Sequence, residues 1–165
     1  MTDLRQQFIE GMSRAATFVS VVTTDGEGGR HGVTVSSMTS VSADGPAPSL
    51  LICVHQQSPA ATAILRNRGF CANLLADDQQ QLSDIFSGRF KPAEGDRFSA
   101  VDWAPGARGQ PVLARASAAF ECTLTTALLC ETHYIIVGAV TGVDLSERTD
   151  ALLYGQRAYR RAIKL

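Results

Sequence analysis

The feature that most constrains this chain is the way its apolar residues come in short, β-branched runs. Thr17 to Thr24 reads TFVSVVTT, His31 to Val41 reads HGVTVSSMTSV, and Phe70 to Leu75 reads FCANLL. Valine, isoleucine, threonine and aromatic residues fit the pleated surface of a strand. Ser49 to His55, SLLICVH, is a continuous apolar run, which suits a strand buried on both faces. Ala116 to Thr126 and Thr132 to Val143 are two long strands that together predict a hairpin. Helical spacing is found in only three places. Leu4, Phe8 and Met12, with Ile9 beside them, predict an amphipathic helix over Asp3 to Arg14. Ser58-Pro59 opens a second helix through Arg68, since serine can cap and proline suits the first helical position. Asp77 to Ser87 is a third, with Leu82, Ile85 and Phe86 on one face. Ser87 to Gly109 reads as a charged loop, and Leu152 to Lys164 as a polar tail carrying Tyr154 and Tyr159. Strands outnumber helices and mostly follow one another without strict βαβ alternation, so a mainly β barrel with a few flanking helices is expected in preference to a doubly wound parallel sheet.

A length of 165 residues predicts a single domain over 1–165. The formal net charge of −1 offers no basic surplus for phosphate backbones or anionic lipid, so no nucleic acid partner and no membrane partner is expected. The opening MTDLRQQF has no basic segment followed by an apolar run, and no apolar stretch is long enough to span a bilayer, which points to the cytoplasm. Cys53, Cys71, Cys122 and Cys130 form no CxxC pair and are expected to be buried thiols; no metal site is expected. Gly26, Gly28, Gly29 and Gly32 do not make a dinucleotide fingerprint, because His31 stands at the third glycine position and no helix follows. Asp25 to Gly29 is read as a hairpin turn.

Three segments could carry chemistry. Gly32 to Ser42, GVTVSSMTSVS, interleaves hydroxyls with valines. Such hydroxyls either face water from a half-buried strand or wall a pocket for a planar heterocycle with a phosphate tail. Cys53 to Pro59, CVHQQSP, brings a strand end to a serine at a helix start. That is either an ordinary capped helix or an anion site made of free N–H groups and the helix dipole. Glu131-Thr132-His133 puts a lone histidine at the start of a strand, where base rates favour a surface or packing role.

Taken in order, FVSVVTT, GVTVSSMTSVS, LLICV with SP, FCANLLADDQQQLSDIFSG, GQPVL with AAFEC, THYIIVGAV and LLYGQRAYR resemble the short-chain flavin reductases. These are reductase components of two-component flavin-dependent aromatic monooxygenases, such as the 4-hydroxyphenylacetate and chlorophenol enzymes. The resemblance runs from about Phe8 to Tyr159. It implies an FMN-binding split β-barrel, a homodimer with flavin near the subunit interface, FMN or FAD as cofactor and NADH or NADPH as hydride donor. It also implies that reduced flavin diffuses to a separate monooxygenase. By the same resemblance Thr34, Val35, Ser36, Ser37, Ser40 and Val41 wall the flavin, Cys53 and Val54 lie beside its ring, and Ser58 contacts phosphate. Asn73, Phe86 and Tyr159 are further flavin-side positions, and His133 lies beside the nicotinamide. Two departures stand out. Ala43 to Pro48, ADGPAP, is longer than the family's Asp-Pro-Pro turn, and Glu131-Thr132 replaces the family's Gly-Asp before the histidine.

In such an enzyme the cofactors carry the redox chemistry and the protein positions them. Hydride passes between stacked rings, and backbone N–H groups around Ser36 to Val41 face the charge that develops on the flavin. Three other readings remain open on the sequence. A non-catalytic flavin- or haem-binding barrel would retain cofactor without oxidising NADH. A pyridoxamine-phosphate oxidase relative would need a more basic phosphate pocket. A purely structural β-domain would ignore flavins.

Overall fold

The computed structural model describes residues 3–164. The elements in chain order are α1 (Leu4–Ser13), β1 (Thr17–Phe18), β2 (Ser20–Thr24), β3 (His31–Val35), β4 (Thr39–Ser42), β5 (Ser49–His55), α2 (Pro59–Asn67), β6 (Gly69–Leu74), α3 (Gln80–Ser87), β7 (Trp103–Pro105), β8 (Pro111–Leu113), β9 (Ala118–Cys130), β10 (His133–Leu145), β11 (Leu152–Gly155) and β12 (Ala158–Arg161). Seven strands form one antiparallel sheet in the order β3-β2-β6-β9-β10-β5-β4. Val22 and Val35 from one end of it and Leu50, Ile52 and Val54 from the other share a single core with Ala61 and Ile64 of α2. A sheet whose two ends pack on the same helix is a barrel left open between its end strands, β3 and β4. This is the split architecture expected from the sequence.

The predicted strand over His31 to Val41 is in fact two. β3 pairs with β2 at one end of the sheet, and β4 pairs with β5 at the other. The three residues between them, Ser36–Met38, therefore cross the split and pair in register with neither neighbour. Thr17 to Thr24 is also interrupted. At Val19 the chain leaves one sheet for another: its N–H donates to Leu152 O at 2.8 Å and its carbonyl accepts from Leu75 N at 3.0 Å. β5 alternates instead of being buried on both faces, with Leu50, Ile52 and Val54 inward and Leu51, Cys53 and His55 partly exposed.

The closing segment is not a tail. β11 and β12 form a hairpin that pairs with β1. Its two-residue turn, Gln156-Arg157, has φ of 52° and 61°. Positive φ at both central positions matches the twist of the flanking strands, but the Asn-Gly signal that usually announces it is absent. The loop over 87–109 likewise contains a 3-10 turn, Arg97–Ala100, and strand β7.

A second core lies outside the barrel, made of Val19, Val21, Leu75, Ile85, Phe86, Phe98, Leu113 and Leu152. Phe86 and Phe98 meet edge to face at 5.2 Å, an arrangement that adds to simple burial. Gly32 is required here, since a Cβ on it would stand 2.5 Å from the Phe86 ring.

The cysteines divide. Cys71 and Cys122 are buried, Cys53 is half-buried and Cys130 is exposed, so the expectation of four buried thiols holds for two. Burial is the main cause that pushes the Cys71 thiol far above its ordinary range and Cys122 up to about 12. The thiolate is the reactive form, so a thiol reagent at neutral pH should label Cys130 first and Cys53 more slowly. Cys71 and Cys122 should react only after unfolding, as intact-mass counting will show.

Candidate functional site

Around Ser36–Met38 the backbone departs from the sheet because it crosses the split, and side chains take over the pairing. Cys53 N–H donates to Ser37 Oγ at 2.9 Å, and that hydroxyl donates back to Cys53 O at 3.1 Å. Met38 turns inward against the barrel core, and its sulfur accepts from Ser20 Oγ at 3.7 Å. Ser36 is left with its side chain in solvent. Val41 is the extra residue of a bulge, since the register passes from Ser40↔Leu50 to Ser42↔Ser49. It is 54% exposed, and Ser40 beside it is exposed as well. The segment thus offers hydroxyls and an apolar side chain on a rigid edge.

Thr34, Val35, Ser36 and Tyr159 line one cleft together with Val19, Ser83, Ser87, Arg89 and Tyr154, about 150 Å³ in volume. Thr34 Oγ1 donates to Ser83 O at 2.8 Å. Tyr159 Oη donates to Asp84 Oδ1 at 2.7 Å and approaches Ser83 Oγ at 2.9 Å, and burial pushes its phenol above the ordinary value. The Arg89 guanidinium lies 5.5 Å from the Tyr154 ring and 5.9 Å from the Tyr159 ring. It is a half-exposed cation at the rim, already paired with Asp84 Oδ1 at 3.6 Å and donating to Tyr154 Oη at 3.3 Å. Sequence reasoning missed Ser83, Arg89 and Tyr154 as site residues. Arg89 sits in a charged loop with no motif, and Tyr154 reaches the cleft only because the closing segment folds into a hairpin.

A second surface is the outer face of β5 and β10. Residues directly opposite on antiparallel strands share a face. His133, Ile135 and Val137 stand opposite His55, Cys53 and Leu51. Cys53 is therefore bonded to Ser37 on one side and faces Ile135 on the other, two residues along β5 from the pair made by His55 and the exposed His133. His133 Nδ1 and Thr132 Oγ1 are 3.0 Å apart. At the nearby start of α2 the Ser58 hydroxyl makes no capping bond. Ser58 holds the N-cap position with Pro59 after it, as expected, but it caps through its backbone: Ala61 N–H donates to Ser58 O at 2.9 Å, and Pro59 has no N–H to offer an anion.

Three of the predicted flavin-side positions have buried side chains. Val54 and Phe86 are core side chains. Asn73 is fully buried with its amide satisfied: Nδ2 donates to Val21 O at 3.0 Å and Thr23 Oγ1 at 3.1 Å, and Oδ1 accepts from Leu113 N at 2.9 Å. These residues support the site from beneath. What remains at least partly exposed fits a flavin in kind: hydroxyls for its polar edge, a thiol and an isoleucine for its ring, and an arginine for its phosphate. The cleft is smaller than the roughly 300–1,000 Å³ typical of ligand pockets.

Residues 12–162 match the family described as flavin reductase like domain. The FMN reductase (NADH) RutF of Ancylobacter novellus is 39% identical over 155 residues, which are 94% of this chain and 83% of that protein. Among solved structures, BorF, the flavin reductase component of a bacterial two-component tryptophan halogenase, superposes with a TM-score of 0.86 at 34% identity, covering 99% of this chain and 100% of that one. The NADH:FAD oxidoreductase SgcE6 of Streptomyces globisporus C-1027, also solved with NAD and FAD fragments, has a TM-score of 0.86 at 27–28% identity, covering 99% of this chain and 92–96% of that one.

Proposed function

The chain belongs to the flavin reductase like domain family, and on that premise we propose that it is an NADH-dependent flavin reductase. It supplies reduced FMN or FAD to a separate monooxygenase component. The observation that carries this reading is the break at Ser36–Met38, which leaves the exposed Ser36 beside the Cys53 edge of the barrel, where Ser37 is bonded to Cys53. Bound along that edge, the flavin would accept a hydride from NADH and carry it away. The chain's own residues bind and orient. Ser36, Ser37 and Ser40 would hold the flavin edge, Cys53 and Val41 its ring. Arg89, Tyr159 and the Ser58 hydroxyl would hold the ribityl-phosphate arm, and His133 the nicotinamide. No side chain has to act as a nucleophile. The partner class is set no more narrowly than flavin-dependent oxygenase, because the related reductases serve different substrates.

The test is direct. Purified protein mixed with NADH or NADPH and then with FMN or FAD should show loss of reduced nicotinamide absorbance, faster with NADH. No loss above the flavin-free background would end the reading, and retained flavin without turnover would make the protein a binding module.

We also infer that residues 1–165 form a single unit that works as a homodimer. No residue of α1 is buried, and Leu4, Phe8 and Met12 are 79%, 66% and 55% exposed. An apolar stripe of this kind marks an interaction surface, and the shallow cleft needs a second wall. Sedimentation should give a dimer at micromolar concentration; a monomer would count against it. Four cysteines without a disulfide suit a reducing cytoplasm, and among the described residues no helix is long and apolar enough to cross a membrane.

A further inference from the structure

His55 takes no part in the site as described above, yet it is the direct cross-strand neighbour of His133. The two rings meet edge to face, with centroids 4.9 Å apart and planes at 77°. His55 is itself held. Its Nδ1 accepts the Gln57 N–H at 3.1 Å, which leaves the proton of the neutral ring on Nε2. The corner that carries it is tied to the turn that carries His133, because Gln56 N–H donates to Thr132 O at 2.9 Å. His133, by contrast, is exposed at a hairpin end, and its recorded ring partners are Thr132 Oγ1 and His55. Thr132 can fix one nitrogen, but only a ring on one side can fix the plane.

We propose that His55 is a positioning residue for the nicotinamide: it sets the ring plane of His133 against which the dihydropyridine lies. The inference rests on the reductase reading. An exposed imidazole loses rotamer freedom when a ligand packs on it. Ordering it beforehand removes that loss from nicotinamide binding. Edge-to-face ring pairs shift an equilibrium roughly two- to tenfold, which sets the size of the effect.

The test uses the full-length protein with FMN saturating and NADH varied. His55→Ala should raise KM for NADH about three- to tenfold. It should leave KM for FMN and the unfolding midpoint unchanged, and His55→Phe should restore most of the loss because it keeps a flat ring edge. On a His133→Ala background, His55→Ala should add nothing, since the ring it positions is gone. An NADH KM within twofold of wild type, an equal rise in KM for FMN, or effects that multiply in the double variant would each overturn the proposal. A wild-type protein that oxidises no NADH would strike the reductase reading, and the pairing would then be decided by nuclear magnetic resonance. NAD+ titrated into the FMN-loaded protein should shift the His133 Cε1–H signal, and shift it less in His55→Ala. An equal shift in both proteins overturns the positioning role.

Discussion

Asn73→Leu should lower the unfolding free energy by about 3 kcal/mol while leaving the FMN affinity of the folded protein within about twofold. The side chain is fully buried and joins three strands: β2 through Val21 and Thr23, β6 where it sits, and β8 through Leu113. Leucine has the same branched skeleton with bulkier methyl ends, so no cavity opens; the loss is polar, with an overpacking cost added. Leu113 N–H would lose its acceptor in a site closed to water. The Thr23 hydroxyl, which also bonds Cys71 O and Pro111 O, would lose a donor. For a domain of this size the loss corresponds to a midpoint lowered by roughly 6–12 °C. Thermal or urea unfolding beside an FMN titration checks it. An unchanged midpoint with weakened FMN binding would instead return Asn73 to the ligand surface.

His133→Ala should behave in the opposite way. The ring is exposed and makes no core contact, so the midpoint should move by no more than about 2 °C. Catalysis should suffer more: kcat/KM for NADH should fall roughly 10- to 100-fold, because misplacing one reacting ring by about an ångström costs on that scale. Binding of oxidised FMN should stay within about twofold. Stopped-flow reduction of bound FMN separates the two effects. Lost FMN affinity with an unchanged reduction rate would remove His133 from the nicotinamide side.

The contrast between these two residues shows how far a sequence reaches. Both were assigned to the cofactor from the segments that carry them, and both segments are where the resemblance puts them. Asn73 occupies a strand flanked on both sides, β2 and β9, and covered by β8, so its amide serves the backbone of those neighbours. Nothing in FCANLL announces a cover supplied by residues 111–113. His55 shows the reverse error. It lay in a segment read for Cys53, Val54 and Ser58, and it became significant only when β5 and β10 fell into register.

Local pattern was enough for whatever depends on one segment at a time. The three helices, the strands at Ser49–His55 and Gly69–Leu74, the long β9–β10 hairpin and the mainly β class are all legible in apolar spacing and turn residues. Tertiary structure alone decided what depends on two distant segments. It broke the 31–41 strand at Ser36–Met38, because β3 and β4 belong to opposite ends of a split sheet. It turned a polar tail into a hairpin that supplies Tyr154 and Tyr159 to the cleft. It also sorted the predicted positions into those at the surface and those in the core. The physical reason is that a side chain's periodicity records only that one face is buried, while the identity of what buries it is set by strand pairing between residues far apart in the chain.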